Sequence, residues 1–103
     1  MIISDRIIEI LPVPELLAAL AEECSELAQA ALKLRRALDG TNWTPKTRVE
    51  CIDSMWEELG DVLACLVAAG FLTEEQPVRD FLSQEKADRW LARLEAHRKE
   101  AQG

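Results

Sequence analysis

Leucine recurs at helical intervals in the first half of the chain, at Leu16, Leu17, Leu20, Leu27 and Leu34, and Ile52, Leu59, Leu63 and Leu66 repeat the pattern further on. At roughly 100° per residue, with Leu20 as the centre of an apolar stripe, Cys24, Leu27, Ala31, Leu34 and Leu38 fall within about 40° of that centre. Pro14 suits the first turn of this helix and Gly40 its stop, giving a helix over 14–38. Thr44 as N-cap and Pro45 as first residue open a second helix over 45–69, which ends at Gly70. Its apolar arc is wider, running from Cys65 through Ala69, Val62, Met55, Leu59 and Ile52 to Trp56, which places Trp56 in the core. A third helix covers about 76–100. Thr73 and Gln76 offer it a capping box, but Pro77 crowds the first turn, so its start falls between Glu74 and Val78. Residues 1–13 form an apolar arm with a short helix around Asp5 to Ile10, stopped by Pro12 and Pro14, that packs on the bundle or on a neighbouring subunit. There is no strand-like alternation. The fold class is all-α: a single domain over 1–103, an antiparallel bundle of three long helices and an N-terminal arm. Its open side is completed by oligomerisation.

Against this apolar background stand two acidic clusters, Glu22-Glu23-Cys24-Ser25-Glu26 and Glu57-Glu58-Leu59-Gly60-Asp61. Glu23 lies about 60° from the stripe centre, Glu26 about 120° on the same side, and Glu22 about 160°, facing outward. On the second helix Glu58 falls inside the apolar arc between Cys65 and Ala69, and Asp61 lies roughly 60° further round, while Glu57 faces away. Each helix therefore offers an i, i+3 carboxylate pair at or near a face that must be buried. Buried carboxylates need protons, cationic partners or a metal. Four converging oxygen ligands suit Mg²⁺, with Mn²⁺ as the alternative.

Composition narrows the function. With 103 residues, 49% of them hydrophobic, and only 4 Gly and 4 Pro, the chain reads as one packed domain. A net charge of −7 argues against a nucleic-acid-binding surface. No apolar run approaches the roughly 20 residues of a membrane span, and no secretory leader is visible. Cys24, Cys51 and Cys65 form no Cys-x-x-Cys and read as buried thiols of a cytoplasmic protein. The lone His97 lies outside any Glu-x-x-His, against a ferritin-like di-iron site.

Glu-Glu-x-x-Glu on one helix followed by Glu-x-x-Asp on the next resembles the metal-binding signature of MazG-like all-α nucleoside triphosphate pyrophosphohydrolases. The similarity runs from Ala21 through Ala30 to Lys33, resumes over Glu57 to Leu63, and returns weakly from Lys86 to Arg93. The resemblance implies metal-dependent hydrolysis of nucleoside triphosphates to monophosphate and pyrophosphate by a homo-oligomer, a dimer or dimer of dimers. Carried over residue by residue, it makes Glu23, Glu26, Glu58 and Asp61 metal ligands. Glu22 matches the first Glu of the pattern and orients or deprotonates water, or else is an ordinary solvated Glu. Lys86, Arg89 and Arg93 share a helix face at i, i+3, i+7 and grip phosphates, or else form a surface salt-bridge face with Glu85, Asp88 and Glu95. Lys33, two turns along from Glu26, is a further phosphate contact. In the loop, Trp43 beside Asn42 stacks on a base or covers an apolar patch. The Glu26-to-Glu58 connection is longer than in many members. Val62-Leu63-Ala64-Cys65 lacks the Leu-Leu-Tyr-His-like run of phosphoribosyl-ATP pyrophosphohydrolases, which ranks histidine biosynthesis low. The competing reading is a non-enzymatic helical interaction module with a solvated acidic face.

Overall fold

The computed structural model describes residues 3, 5–41 and 46–103, and among them the chain is all-helical. A short α1 (Arg6–Ile10) leads into α2 (Val13–Asp39), followed by α3 (Arg48–Ala68), a 3₁₀ turn over Val78–Phe81, and α4 (Gln84–Gln102). Pro12 is the N-cap of α2, and Pro14 sits within its first turn, where the lost N–H has no helical partner in any case. Gly40, at φ 68°, closes the helix in the left-handed conformation, its N–H donating to the Arg36 carbonyl. The Asp39 carboxylate then accepts from the Thr41 N–H at 2.9 Å and the Thr41 hydroxyl at 2.7 Å, so the exit from α2 is tied locally.

Helix α3 begins later than the sequence expectation. Thr44 and Pro45, expected to open it, lie outside the described residues. Thr47 is the N-cap and its side chain accepts from the Glu50 N–H at 3.2 Å. In return, the Glu50 carboxylate accepts from the Thr47 N–H at 3.2 Å. This reciprocal capping box satisfies two helix-end donors, where a Thr44 cap leaves no partner at the third position. The start of α4 also differs, lying at Gln84 rather than near residue 76. Pro77 precedes a 3₁₀ turn, and Ser83 caps α4 by accepting from the Lys86 N–H at 3.2 Å. Gln76 does accept from the Thr73 N–H at 3.0 Å, but that pair closes a turn, not a helix.

The packed unit is the α2–α3 hairpin, whose fully buried positions are Leu16, Ala30, Cys51 and Val62. On α2 the side chains at least half-buried include Leu20, Glu23, Leu27 and Leu34, so the packed face is centred about 50° round from Leu20, toward Glu23. Leu17, Cys24, Ala31 and Leu38 remain exposed as a second apolar strip. Cys24 is thus not the buried thiol expected. Nor is Trp56 a core residue: it is 68% exposed, with Ile52 and Leu63 exposed beside it on the outer side of α3. The expected arc on α3 is too wide for one neighbouring helix to cover. None of the residues of α4 is buried.

The arm docks at the far end of α3. The Ile3 N–H donates to Glu74 Oε1 at 3.2 Å, and Ile3 and Ile8 line a hollow with Val67 and Leu72. The chain exposes 8413 Å², against about 5,800 Å² for a compact monomer of this mass. Its radius of gyration is 17.8 Å, against about 13 Å for a compact chain of 100 residues.

The capping box gives the first prediction. Thr47→Ala should cost about 1 kcal/mol in denaturant unfolding, the usual loss for an N-cap. The Thr47 backbone N–H, then the Thr47 hydroxyl group, hold the Glu50 carboxyl below its ordinary pKa. A depressed carboxyl contributes stability above its ordinary pKa and loses it as pH falls through the folded value. Glu50→Gln retains an acceptor but removes the titration, so its melting temperature should fall less than wild type's on acidification.

Candidate functional site

The antiparallel hairpin brings the two acidic motifs face to face. Glu23 and Glu26 come from the middle of α2, and Glu58 comes from the middle of α3. Their carboxylate oxygens lie within 4.8 Å of one another. Helical periodicity makes this possible. Glu23 sits near the centre of the packed face of α2, Glu26 flanks it one turn on, and Glu58 sits between Cys65 and Val62 on the packed face of α3. Oε2 of Glu23 and Oε2 of Glu58 are buried with no hydrogen-bond partner. Such atoms are rare in folded proteins and call for a proton, a cation or a ligand.

The electrostatics follow from that crowding. Burial raises the Glu23 pKa most, and the charges of Glu26 and Asp61 raise it further. Burial likewise leads for Glu58, followed by Glu26 and Asp61. Glu26 therefore acts on both of the other carboxyls, since it stands within 4.8 Å of each. The Cys65 thiol is also pushed up, by burial and then by the charges of Glu23 and Asp61. Asp61 is exposed and stands beside the cluster without joining its set of converging oxygens. Glu22 is exposed.

From the cluster a cleft of about 280 Å³ runs along the α2–α3 groove toward the connection between the helices. Its floor is Ala30 and Cys51, both buried, whose small side chains leave the space open. Glu26 and Glu58 form one end, Gln29 and Ser54 the walls, and Lys33 and Lys46 the other end. Lys33 was expected on sequence. Gln29, Ser54 and Lys46 were not, although Gln29 is one turn from Glu26 and Ser54 one turn from Glu58 on the same faces. Lys46 precedes the helix and has no periodicity to place it.

Other expected residues lie elsewhere. Lys86, Arg89 and Arg93 do share a face, but they line a separate surface groove on α4 of about 540 Å³ with Ala92. Asn42 and Trp43 lie outside the described residues. None of the described helices is long and apolar enough to cross a membrane.

A carboxylate cluster with unpaired buried oxygens, set between two antiparallel helices, defines an all-α protein with a candidate cation site. The profile of the MazG nucleotide pyrophosphohydrolase domain matches residues 13–99, spanning α2, α3 and most of α4. The chain belongs to that family. Neither a curated protein nor a solved structure gives a significant match.

Cation dependence of stability tests the cluster. A carboxyl with a raised folded pKa favours the fold below its ordinary value, and that advantage is lost as pH rises through the folded value. Metal-free protein should therefore lose stability as Glu23 and Glu58 ionise, and Mg²⁺ should restore it. Glu58→Gln should raise the metal-free melting temperature at neutral pH and remove most of the Mg²⁺ response. Equal responses in wild type and variant would show that Glu58 is not a ligand.

Proposed function

We propose that the chain hydrolyses nucleoside triphosphates, deoxynucleotides among them, to a nucleoside monophosphate and pyrophosphate. In this reading Glu23, Glu26, Glu58 and Asp61 hold Mg²⁺, with Mn²⁺ as an alternative. The observation that carries the reading is the pair of unpaired buried oxygens on Glu23 and Glu58, in one carboxylate cluster of a member of a pyrophosphohydrolase family. The donor set fits a hard divalent ion, being all carboxylate oxygen with no thiol or imidazole among it. Asp61, which acts electrostatically on Glu23 and Glu58, enters as the fourth ligand on the family resemblance. When bound, such a cation neutralises triphosphate charge and lowers the pKa of water at the site.

The residues of the chain supply the remaining work. Glu23, Glu26 and Glu58, fixed on two rigid helices, would hold the cation through which the triphosphate is positioned, and positioning is the main demand of phosphoryl chemistry. Glu22 takes up the proton of the attacking water, a role resting on the family resemblance. The water oxygen adds to the α-phosphorus, the bond from that phosphorus to the α–β bridging oxygen breaks, and the bridging oxygen departs with pyrophosphate. Lys33 meets the phosphates in the cleft. Lys86, Arg89 and Arg93, with Asn42 and Trp43, enter as substrate contacts on resemblance and sequence context alone. The reading places the protein in the cytoplasm with the nucleotide pool.

The working form in this proposal is a homo-oligomer, a dimer or a dimer of dimers, in which copies cover one another's apolar faces and complete the helical bundle. Supporting it are the exposed strip on α2, Trp56 with its neighbours on α3, and an accessible surface roughly 2,600 Å² above that of a compact monomer. Obligate dimer interfaces bury on the order of 2,000 Å² or more in total, so that surplus is of the right size. The same exposed faces favour the second reading, a purely structural interaction module. Release of pyrophosphate separates the two.

Hydrolysis in ¹⁸O-labelled water should place label in the monophosphate and none in pyrophosphate. Glu23→Gln combined with Asp61→Asn should reduce turnover by more than about a hundredfold, beyond the range typical of outer-shell changes. Nucleoside diphosphate as first product, or activity that survives the double substitution, overturns the mechanism. In sedimentation at micromolar concentration the protein should run as a dimer or larger, and a well-folded monomer counts against association.

A further inference from the structure

The cleft beside the carboxylates has a direction. Glu26, Gln29, Ala30 and Lys33 follow one another at i, i+3, i+4, i+7 along α2, so they line one stripe of that helix. Ser54 and Glu58, one turn apart, line the facing stripe of α3, and Lys46 stands just ahead of its N-cap, Thr47. The antiparallel pairing orders the lining residues, with Glu26 and Glu58 toward one end of the cleft and Lys33 and Lys46 toward the other. Glu26 and Lys33 are about 10 Å apart along the helix axis, and side chains on a helix lean toward its N-terminus, so Lys33 leans back toward Glu26. The ion pair at this end of the hairpin, Arg35 Nε to Asp39 Oδ2 at 3.6 Å, uses neither lysine. Lys46 acts electrostatically on Glu50, a minor contribution to the lowered Glu50 pKa. The Ser54 hydroxyl donates to the Glu50 carbonyl at 3.1 Å, which leaves its oxygen lone pairs facing outward as acceptors only. Donors for an anion at this end of the cleft are therefore the two lysines and the Gln29 amide.

We infer that Lys46, paired with Lys33 across the cleft, is the clamp for the departing pyrophosphate, and that it orients the triphosphate with its α-phosphorus at the carboxylates and its terminal phosphates toward the α2–α3 connection. This rests on the pyrophosphohydrolase reading above. The size of the cleft agrees with it. At about 280 Å³ it lies just below the roughly 300–1,000 Å³ usual for small-molecule sites, enough for a phosphate chain with sugar and base outside. In the reaction the water oxygen bonds to the α-phosphorus and the bond to the α–β bridging oxygen breaks, taking its electron pair. The new charge develops on pyrophosphate at the lysine end. The two lysines donate hydrogen bonds to that charge.

The test is calorimetric titration of inorganic pyrophosphate, and separately of a deoxynucleoside monophosphate, into full-length protein in Mg²⁺. Wild type, Lys46→Ala, Lys46→Arg and, as a distant surface control, Lys99→Ala are compared, with circular dichroism confirming equal helix content. Lys46→Ala should weaken pyrophosphate binding about tenfold, the loss of one charge-assisted contact, and leave the monophosphate within about twofold. Lys46→Arg should restore most of the affinity, and Lys99→Ala should match wild type. Pyrophosphate affinity indifferent to Lys46, equal weakening of both ligands, or no pyrophosphate binding by wild type overturns the clamp. Lys46-dependent pyrophosphate binding without turnover of any nucleoside triphosphate sinks the hydrolase reading and leaves the clamp standing. Turnover with Lys46-independent pyrophosphate binding does the reverse.

Discussion

Packing between α2 and α3 forces like charges together, and the chemistry of the molecule follows from that conflict. The contacts of Leu16, Ala30, Cys51 and Val62 hold the helices at a separation that leaves Glu23, Glu26 and Glu58 within one small volume. In water these carboxylates would separate. Here the helix backbones fix them, and burial, followed by mutual repulsion, raises the pKa values of Glu23 and Glu58, while an oxygen of each is left without a partner. Local choices that disagree with the fold concentrate where function is located. The apolar contacts of one helix pair supply the force that keeps this disagreement in place.

The same packing determines which surfaces remain. Because the buried face of α2 is turned toward Glu23, the Leu17–Leu38 side of that helix faces away from α3, and Ile52, Trp56 and Leu63 do the same on the other helix. Each helix of the hairpin thus carries an apolar strip that its partner helix does not touch. Such strips are what the proposed association between copies would cover. Burying the acids and exposing these strips are two results of a single rotation.

Much of this was legible in the sequence, and the misses have physical causes. The two long amphipathic helices, the stop at Gly40 and the pairing of the acidic motifs could be read from period and spacing alone. The N-terminus of α3 offered two threonines three residues apart. Thr44 with Pro45 resembled a helix start, but only Thr47 has a Glu at the third position to close the capping box. The start of α4 was misread because Thr73 and Gln76 do make one half of that motif, in a turn that Pro77 prevents from continuing as helix. Burial was misassigned on Cys24 and Trp56 because an apolar stripe records every surface a helix must cover, including surfaces its own chain does not reach. Asp61, expected among the ligands, acts electrostatically on the cluster but is not one of its converging oxygens, a distinction that spacing along the helix cannot express. Lys46 lay outside any periodic element, where pattern carries no information.

Among the described residues the cleft, from Glu26 to Glu58, is lined by one helical hairpin and by Lys46 at its edge, within the link from Asp39 to Arg48 that joins the two arms. Closing a loop costs free energy only as the logarithm of its length, about 0.6 kcal/mol per doubling. Insertions in that link are therefore cheap, while a shift of one residue in either helix would turn its carboxylates by about 100° out of the cluster. The hairpin separates a part that tolerates change from a part that does not. A link of another length would leave the acids held together, provided Lys46 kept its place just ahead of the α3 N-cap.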